Sequence, residues 1–263
     1  MSFQTEFSRG IKAYGEAHTV IFRYKLTNYL IIPAIVTVIY SVLFFWLAAS
    51  IAGTISTEAD SYPWWLSWMG DGIKWFMRTI YWVAVAAFFF ISIKYVVQVV
   101  LAPILSNLSV AVEKKVLGLE VPEITWKEAI QDMGRSLLLA IRNSIYEFFS
   151  CLLLGLLPGV GQIASIAVSS YFYGFGYMDY VMERKRMTIP QAVAFCRAHK
   201  GLAIGLGVVM YFLMLIPIIG WAFAPTYATV AATLETLRIL KETNTGQQGD
   251  VFSGAVSHSA TAR

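Results

Sequence analysis

The stretch Leu156-Leu-Pro-Gly-Val-Gly-Gln162 decides the fold, because its proline and glycines interrupt an apolar run that otherwise has the composition of a membrane helix. A weaker copy, Leu215-Ile-Pro-Ile-Ile-Gly-Trp221, also has a proline and a glycine three residues apart. Proline removes a backbone donor, and glycine tolerates the strained turn that follows. Hydrocarbon offers no water to the freed backbone groups, so such breaks are tolerated where they are buried in protein or line a wet cavity. The two breaks are therefore the first candidates for a functional site.

The composition is that of an integral membrane protein. Of the 263 residues, 57% are hydrophobic and 14% are charged, and the mean hydropathy is +0.62, far outside the range of soluble domains. The net charge of +4 comes from basic residues that flank apolar segments, which is typical of membrane proteins and argues against a nucleic-acid partner. Two cysteines and three histidines at unrelated positions predict no disulfide framework, no metal site and no cofactor.

Two long apolar runs predict transmembrane helices. The first runs from Tyr29 to Ala52 and is long enough for a hydrocarbon core of about 30 Å. It follows residues 1–28, whose interleaved apolar and basic residues predict an interfacial helix. The second runs from Thr79 to Leu101, after a tryptophan-rich loop typical of the headgroup belt, and ends at Ala102-Pro103.

Shorter apolar arms flank each proline break. They cover residues 145–157 and 161–177 around the first break, and 202–216 and 221–234 around the second. A thirteen-residue arm reaches only about 20 Å, too little to cross the bilayer. The segments between the apolar runs, 104–142 and 179–200, are amphipathic or basic, and Thr125-Trp-Lys-Glu128 matches a capping box.

The two breaks belong to an internal repeat. Identity between the copies is weak, but the order of amphipathic helix, short arm, break and short arm recurs as a whole. An offset of 59 residues pairs Pro158 with Pro217, Gly161 with Gly220, and Leu154 with Leu213.

Two topologies are compatible with the breaks. Each broken pair could be one kinked helix that crosses the membrane, or a hairpin that enters and leaves by the same face. If both pairs crossed, the basic segment 179–200 would lie opposite residues 104–142 and the N-terminus, which the positive-inside rule disfavours. The sequence therefore favours an all-α integral membrane fold with two long transmembrane helices, two hemi-penetrating (re-entrant) helical hairpins and amphipathic interfacial helices, with the N-terminus cytoplasmic. This domain covers residues 1–241, and the polar composition of 242–263 predicts a disordered tail.

These features resemble the CysZ sulfate permease family, which includes the eukaryotic etoposide-induced membrane protein. The resemblance covers roughly residues 5–240 and implies a homo-oligomer in the bacterial inner membrane that takes up sulfate or another inorganic anion. Its most specific elements are Leu156–Gln162, Ala102-Pro103 with the amphipathic helix to Gly118, Tyr177-Met-Asp-Tyr180 before a basic turn, and Leu215-Ile-Pro217.

One position departs from the family pattern. Sulfate-handling members carry adjacent arginines just before the proline of the first span, where this chain has Thr27-Asn28. Arg23 and Lys25 lie nearby in a different register. Because a dianion favours charge-assisted donors, the difference leaves the substrate open. The resemblance thus implies an anion-binding segment made of Arg23, Lys25, Thr27 and Asn28.

The breaks also suggest an anion pathway. After the first break, helix N–H groups and the positive helix end point inward from mid-membrane, and Gln162 adds a donor. Alternatively, the breaks only form tight hairpin tips, or the protein is a non-transporting scaffold whose amphipathic segments and basic turn 184–186 organise the lipid bilayer. An enzyme is not expected, since no histidine accompanies Glu147 or Asp179 on the apolar arms. The candidate pathway residues are Pro158, Gly159, Gly161, Gln162, Pro217 and Gly220.

Overall fold

The computed structural model describes residues 2–58, 67–118, 126–216 and 219–260, and every regular element within these ranges is an α-helix. The predicted all-helical membrane fold is confirmed. Thr125 of the predicted capping box and Pro217 of the second break lie outside the described residues. The helices are α1 Phe3–Arg23, α2 Asn28–Glu58, α3 Ser67–Leu117, α4 Trp126–Gly155, α5 Val160–Arg184, α6 Ile189–Ala198, α7 Lys200–Met214 and α8 Ile219–Ala260.

Two helical stretches among the described residues are long and apolar enough to cross a membrane. The first, Asn28–Gly53, has 26 residues and confirms the first predicted span. The second, Gly134–Gly155, has 22 residues and lies within α4. The amphipathic segment and the arm before the first break form one continuous helix, so this helix is longer than the predicted thirteen-residue arm.

Helix α3 continues through its proline. It runs without a break from Ser67 to Leu117, with Pro103 inside, so Ala102-Pro103 does not end the helix, and the end of the membrane span there stays a prediction. A proline removes one helical hydrogen bond, but neighbouring helices can accommodate the loss. Leu101 and Leu105, on either side of the proline, are buried, so packing holds the helix together there. The second predicted span lies within α3, and the side chains of its residues 90, 91 and 94–99 are outside the described part.

Helices α4 and α5 fold back on each other, as do α7 and α8; we call these pairs the first and second hairpins. The Cys151 sulfur lies 3.5 Å from the Ser169 hydroxyl, whereas eighteen residues of continuous helix would separate them by about 27 Å. In the second hairpin, the Trp221 indole donates to the carbonyl of Met214 at 2.9 Å. The alternative of a kinked helix that continues across the membrane is thus excluded for both breaks.

Helix α8 lies at the centre of the fold, where it packs against α1, α2, α3, α5 and α7. Its buried face is built from alanine and threonine, which allow neighbouring helices to approach closely. The Thr226 hydroxyl donates to the carbonyl of Tyr29 at 2.7 Å, and the hydroxyls of Ser109 and Thr233 lie 2.5 Å apart. These bonds give the buried hydroxyl groups the hydrogen-bond partners that water cannot supply there.

Helix α1 lies along the second hairpin. Its apolar face, which includes Ala13, Ala17 and Ile21, is buried against α7 and α8. Gly201 and Gly205 of α7 lie against the carbonyls of Phe3 and Phe7, so the two backbones nearly touch. The predicted amphipathic pattern of residues 1–28 is present, and protein rather than lipid covers its apolar face.

The two hairpins meet through glycine contacts between α5 and α7. A Cβ on Gly174 would collide with the carbonyl of Ala203, and one on Gly207 would collide with the carbonyl of Ser170. The two hairpins therefore form one packed body. At the other end of the chain, α8 continues as helix to Ala260, where the composition predicts a disordered tail over 242–263. The domain boundary at residue 241 stays a prediction.

Candidate functional site

The tips of the two hairpins are built alike. Helix α4 ends at Gly155 and α5 begins at Val160, and fifty-nine residues later α7 ends at Met214 and α8 begins at Ile219. The backbone hydrogen bonds follow the same offset, which makes the repeat structural. They join the N–H groups of Leu156, Leu157 and Gly161 to the carbonyls of Leu153, Leu154 and Leu157 at 3.3, 2.9 and 3.0 Å, and those of Leu215, Ile216 and Gly220 to Phe212, Leu213 and Ile216 at 3.2, 3.0 and 2.9 Å.

Glycine makes the first tip possible. Gly159 has φ 81° and ψ −75°, the geometry of a γ-turn that side-chain-bearing residues rarely adopt. The Val160 N–H donates across this turn to the carbonyl of Pro158 at 3.1 Å. Because Val160 and Gly161 both donate within the tip, their N–H groups are not free for an anion.

The surface around the first tip is apolar. Leu156, Val160 and Ile163 are 74%, 75% and 72% exposed. Gln162 is exposed among them. A surface of this kind suits lipid tails, because apolar area that faces hydrocarbon has no water to avoid. The tip thus inserts into an apolar medium, with Gln162 as its polar side chain.

The predicted anion-binding residues lie together in the turn between α1 and α2. Lys25 adopts a left-handed conformation with φ 54°, and the Leu26 N–H donates to the carbonyl of Ile21 at 2.9 Å. This is the hydrogen-bonding pattern that closes a helix end. Arg23, Lys25 and Asn28 are exposed, and Thr27 is half-buried. Since α2 begins at Asn28, its positive helix end adds to the two cations.

The turn between α1 and α2 lies at about the same height along α7 and α8 as the second tip. Helix α1 runs parallel to α7, from Phe3 against Gly201 to Tyr14, whose hydroxyl donates to the carbonyl of Leu206 at 2.8 Å. The turn is also tied to α8 by the bond between Thr226 and Tyr29. Thr226 is only seven residues, or about 10 Å of helix, from the start of α8. The cationic turn and the start of α8 thus lie at similar depths, about 10 Å apart along α8.

Ion pairs gather the polar segments at one end of the molecule, which we call the charged end. The Arg135 guanidinium donates twice to the Asp179 carboxylate, at 3.1 and 3.2 Å. Glu113 accepts from Arg184 at 3.0 Å and from Lys185 at 2.7 Å. These contacts place Glu113 and Arg135 on the same side as Asp179, Arg184 and Lys185, as the charge distribution predicts.

Ion pairs also connect α1 and α8 at the charged end. His199 lies 2.7 Å from the Glu6 carboxylate, and the Arg9 guanidinium donates to Glu235 at 2.8 Å. Arg238 bridges Glu235 and Glu16 at 2.6 and 2.7 Å. These pairs join residues that are distant in sequence, and no local pattern in the sequence predicts any of them. The GxxxG spacing of Gly201 and Gly205 was the one readable signal that two helices approach closely here.

The basic turn 184–186 does not have the free cations that its predicted contact with lipid headgroups requires. Arg184 is only 4% exposed, and both it and Lys185 bind Glu113, which is 1% exposed. Burial raises the pKa of Glu113, but the hydrogen bonds from Lys185 and Arg184 outweigh that effect, and its pKa falls below the ordinary value. Two of the three cations expected to meet lipid headgroups are therefore paired with a buried carboxylate, although Lys185 itself is exposed.

An open surface groove of about 580 Å³ lies on α3, lined by Trp75, Arg78 and Trp82 among others. It is near the far end of α2, since the Tyr81 hydroxyl of the same helix donates to the carbonyl of Ala48 at 2.6 Å. None of the predicted site residues lines it. Among the side chains that the structure describes, no group of three histidine, cysteine or acidic residues has the geometry of a metal site.

Comparison with known proteins agrees with the sequence and the fold. The profile of the family described as Sulfate transporter CysZ/Etoposide-induced protein 2.4 matches residues 13–225. The chain is 24% identical over 237 residues to the sulfate transporter CysZ of Pseudomonas aeruginosa, covering 87% of this chain and 94% of that protein. It is 27% identical over 156 residues to the sulfate transporter CysZ of Pseudomonas fluorescens, covering 57% and 62%. The chain therefore belongs to the Sulfate transporter CysZ/Etoposide-induced protein 2.4 family.

Proposed function

We propose that the protein carries sulfate or a related inorganic oxyanion across the bacterial inner membrane, as a homo-oligomer with its N-terminus in the cytoplasm. Its relatives are sulfate transporters by name. Membership of a transporter family supports movement of the anion without chemical change, so the proposed role is not that of an enzyme. The orientation follows from the positive-inside rule, because many of the basic residues lie at the charged end.

The observation that carries this proposal is the cationic turn between α1 and α2. Arg23 and Lys25 are exposed on a turn that packing places close in depth to the second hairpin tip. Their charges and the positive end of α2 attract an anion. Thr27 and Asn28 supply a hydroxyl and an amide as uncharged donors to its oxygens. The four residues together form the proposed anion-binding segment.

The hairpin breaks are proposed to shape the path. We propose that Pro158, Gly159 and Gly161 turn the chain inside the membrane, and that Gly220 does so in the second copy. Pro217 has the place of Pro158 in the sequence and lies outside the described residues. Since the N–H groups of Val160 and Gly161 donate within the tip, the first break shortens the apolar barrier rather than binding the anion. Gln162 is the side chain at this tip that could donate to a passing oxyanion.

Radiolabelled sulfate flux into liposomes tests the proposal. A variant with Arg23→Gln and Lys25→Gln should lose at least about tenfold in flux, because each charge-assisted bond is worth about 1.5–3 kcal/mol. Lys12→Gln is the matched control, since Lys12 is an exposed cation further along the same helix. Conversely, Thr27→Arg with Asn28→Arg should raise flux, because it restores two guanidinium donors.

Two results would contradict the proposal. Equal flux in the Arg23 and Lys25 variant and in the Lys12 control would remove the turn from the pathway. Absence of flux for sulfate and related oxyanions in the unmodified protein, together with retention of anionic lipid, would favour the lipid-organising scaffold. The scaffold is less well supported, because Arg184 and Lys185 bind Glu113.

A further inference from the structure

Helix α4 and the α6–α7 pair occupy the same place in the two repeats but have different shapes. With the offset of fifty-nine residues, α7 corresponds to residues 141–155 and α6 to residues 130–139, both within α4. Helix α4 is continuous there, whereas α6 and α7 meet at an angle of 88°. One type of unit is thus present in a straight form and in a bent form.

The bend lies at a single residue. His199, with φ −112° and ψ 42°, separates α6 from α7, and its counterpart in α4 is Ala140. Contacts with α1 hold the bent form: His199 lies 2.7 Å from Glu6, and Gly201 lies against the backbone of Phe3. These contacts have no equivalent in the first repeat, because Arg142 stands where the second repeat has Gly201.

A different set of contacts holds the straight form. Arg135 binds the Asp179 carboxylate through two nitrogens and the carbonyl of Met187 through a third, at 2.9 Å. The Ser136 hydroxyl donates to Asp179 at 3.2 Å. In the second repeat these positions are occupied by Ala194, Phe195 and Arg238, which cannot form the same contacts. Each form is therefore held by residues that its copy lacks.

Helix α4 is also lightly packed. It packs against α5, while Leu138, Ile141 and Ile145 are half or more exposed. Elements with few protein contacts are the ones that move at low free-energy cost. In its N-terminal half, the described side chains 134–140 contact the rest of the protein through the Arg135 and Asp179 cluster and through the buried Leu139, next to Ala140.

We propose that α4 is a hinged helix, which bends at Ala140 into the form seen in α6–α7, with the Arg135–Asp179 pair as the latch that keeps it straight. Bending opens the charged end between α4 and α5 and exposes Asp179 to the aqueous side. The proposal does not depend on which anion the protein carries. Hinge motions of this kind absorb a large backbone change in very few residues.

Distances between spin labels in the full-length protein in lipid nanodiscs test the hinge. In a background with Cys151→Ala and Cys196→Ala, labels are placed at Gly134→Cys and Lys12→Cys. A side chain at residue 134 meets no neighbour. Six residues separate Gly134 from the hinge, so a bend of 88° moves the label by roughly 12 Å. A second label pair, Leu152→Cys and Lys12→Cys, lies beyond the hinge and should not change.

Asp179→Asn should raise the population with the displaced 134–12 distance at least about tenfold, because a buried pair that loses one charge is strongly destabilised. Glu242→Gln, which weakens an exposed ion pair elsewhere, should leave the distribution unchanged. Arg135→Lys keeps the positive charge but loses the bidentate hydrogen bonds to Asp179, so it should also raise the population with the displaced 134–12 distance. This variant tests the hinge if Asp179→Asn does not fold. A single unchanged distance in both latch variants overturns the hinge. A change in the 152–12 distance also overturns it, since the whole helix would then have moved.

Discussion

Gly161 lies so close to the carbonyl oxygen of Leu154 that there is no room for a Cβ between them. Gly220 stands in the same relation to Leu213 in the second copy. The two contacts fix the angle at which each hairpin turns, because the returning helix can begin only where its backbone fits against the carbonyl. The repeat is therefore maintained by two glycines rather than by similar side chains.

Gly161→Ala and Gly220→Ala should each destabilise the protein by about 1–3 kcal/mol, because overpacking forces the backbones apart. Thermal unfolding in detergent measures the effect. Gly155→Ala is the matched control, since a Cβ at residue 155 meets nothing within 4 Å and alanine favours the helix by up to about 1 kcal/mol. If all three variants melted alike, the close contact would have no energetic role.

Single cysteines at Ser2 and Gln191 should react with a membrane-impermeant maleimide from the same side of the membrane. Both positions are exposed, and ion pairs place α1 and the segment 179–200 at the charged end. A cysteine at Trp75 should react from the opposite side. The Cys151→Ala, Cys196→Ala protein provides the unlabelled control. Labelling of residues 2 and 191 from opposite sides would exclude the hairpin topology.

Glu113→Gln should lower the free energy of unfolding by about 3 kcal/mol or more, because it leaves the buried Arg184 guanidinium without its hydrogen-bonded counter-charge. Glu242→Gln is the matched control. Glu242 is 48% exposed and lies 3.4 Å from Arg9, and exposed pairs contribute only about 0–1 kcal/mol. Similar losses in the two variants would show that burial of the Glu113 pair does not matter.

The same carboxylate should make stability depend on pH. The pKa of Glu113 is lower in the folded protein than its ordinary value of 4.5. The contribution of this carboxylate to the free energy of unfolding is therefore fully present above pH 4.5. It is lost as the pH falls further, through the folded-state pKa, because the unfolded chain takes up the proton first. The melting temperature of the unmodified protein should therefore fall more steeply below pH 4.5 than that of Glu113→Gln. Parallel curves would contradict this.

A chain that ends at Lys241 should fold and melt like the full-length protein. The deletion removes the predicted tail and the exposed Glu242 partner of Arg9, and leaves the buried pair between Arg9 and Glu235 intact. The expected change in the free energy of unfolding is within about 1 kcal/mol. Gel filtration and thermal unfolding measure it, and loss of a folded species would place the domain boundary further along the chain.

The hairpins and the repeat were readable from the sequence, because each depends on local chemistry. Proline and glycine mark a break wherever they interrupt an apolar run, and the spacing of Pro158 and Gly161 recurs at Pro217 and Gly220. The family was recognised from the same elements, and the profile match over residues 13–225 confirms it. The roles of Arg23 and of the residues at the two breaks stay predictions.

The long-range contacts could not be read in the same way. Whether Pro103 ends α3 depends on buried neighbours such as Leu101 and Leu105, which are known only once the chain is folded. The partner of Arg184 is Glu113, 71 residues away, and no local pattern connects them. Arg184, which belongs to a basic turn that would otherwise predict a headgroup contact, is thus buried in an ion pair within the protein.

The contacts of α1 also set the order in which the chain can be completed during synthesis. This helix is synthesised before α7 and α8, yet its buried face packs against both of them, and Glu6 and Arg9 pair with His199 and Glu235. Until α7 and α8 have been inserted, the apolar face of α1 is not covered by protein, and Glu6 and Arg9 lack these ion-pair partners. A nascent chain stalled before residue 200 should accordingly be a target for membrane quality control, whereas one that has passed Glu235 should not.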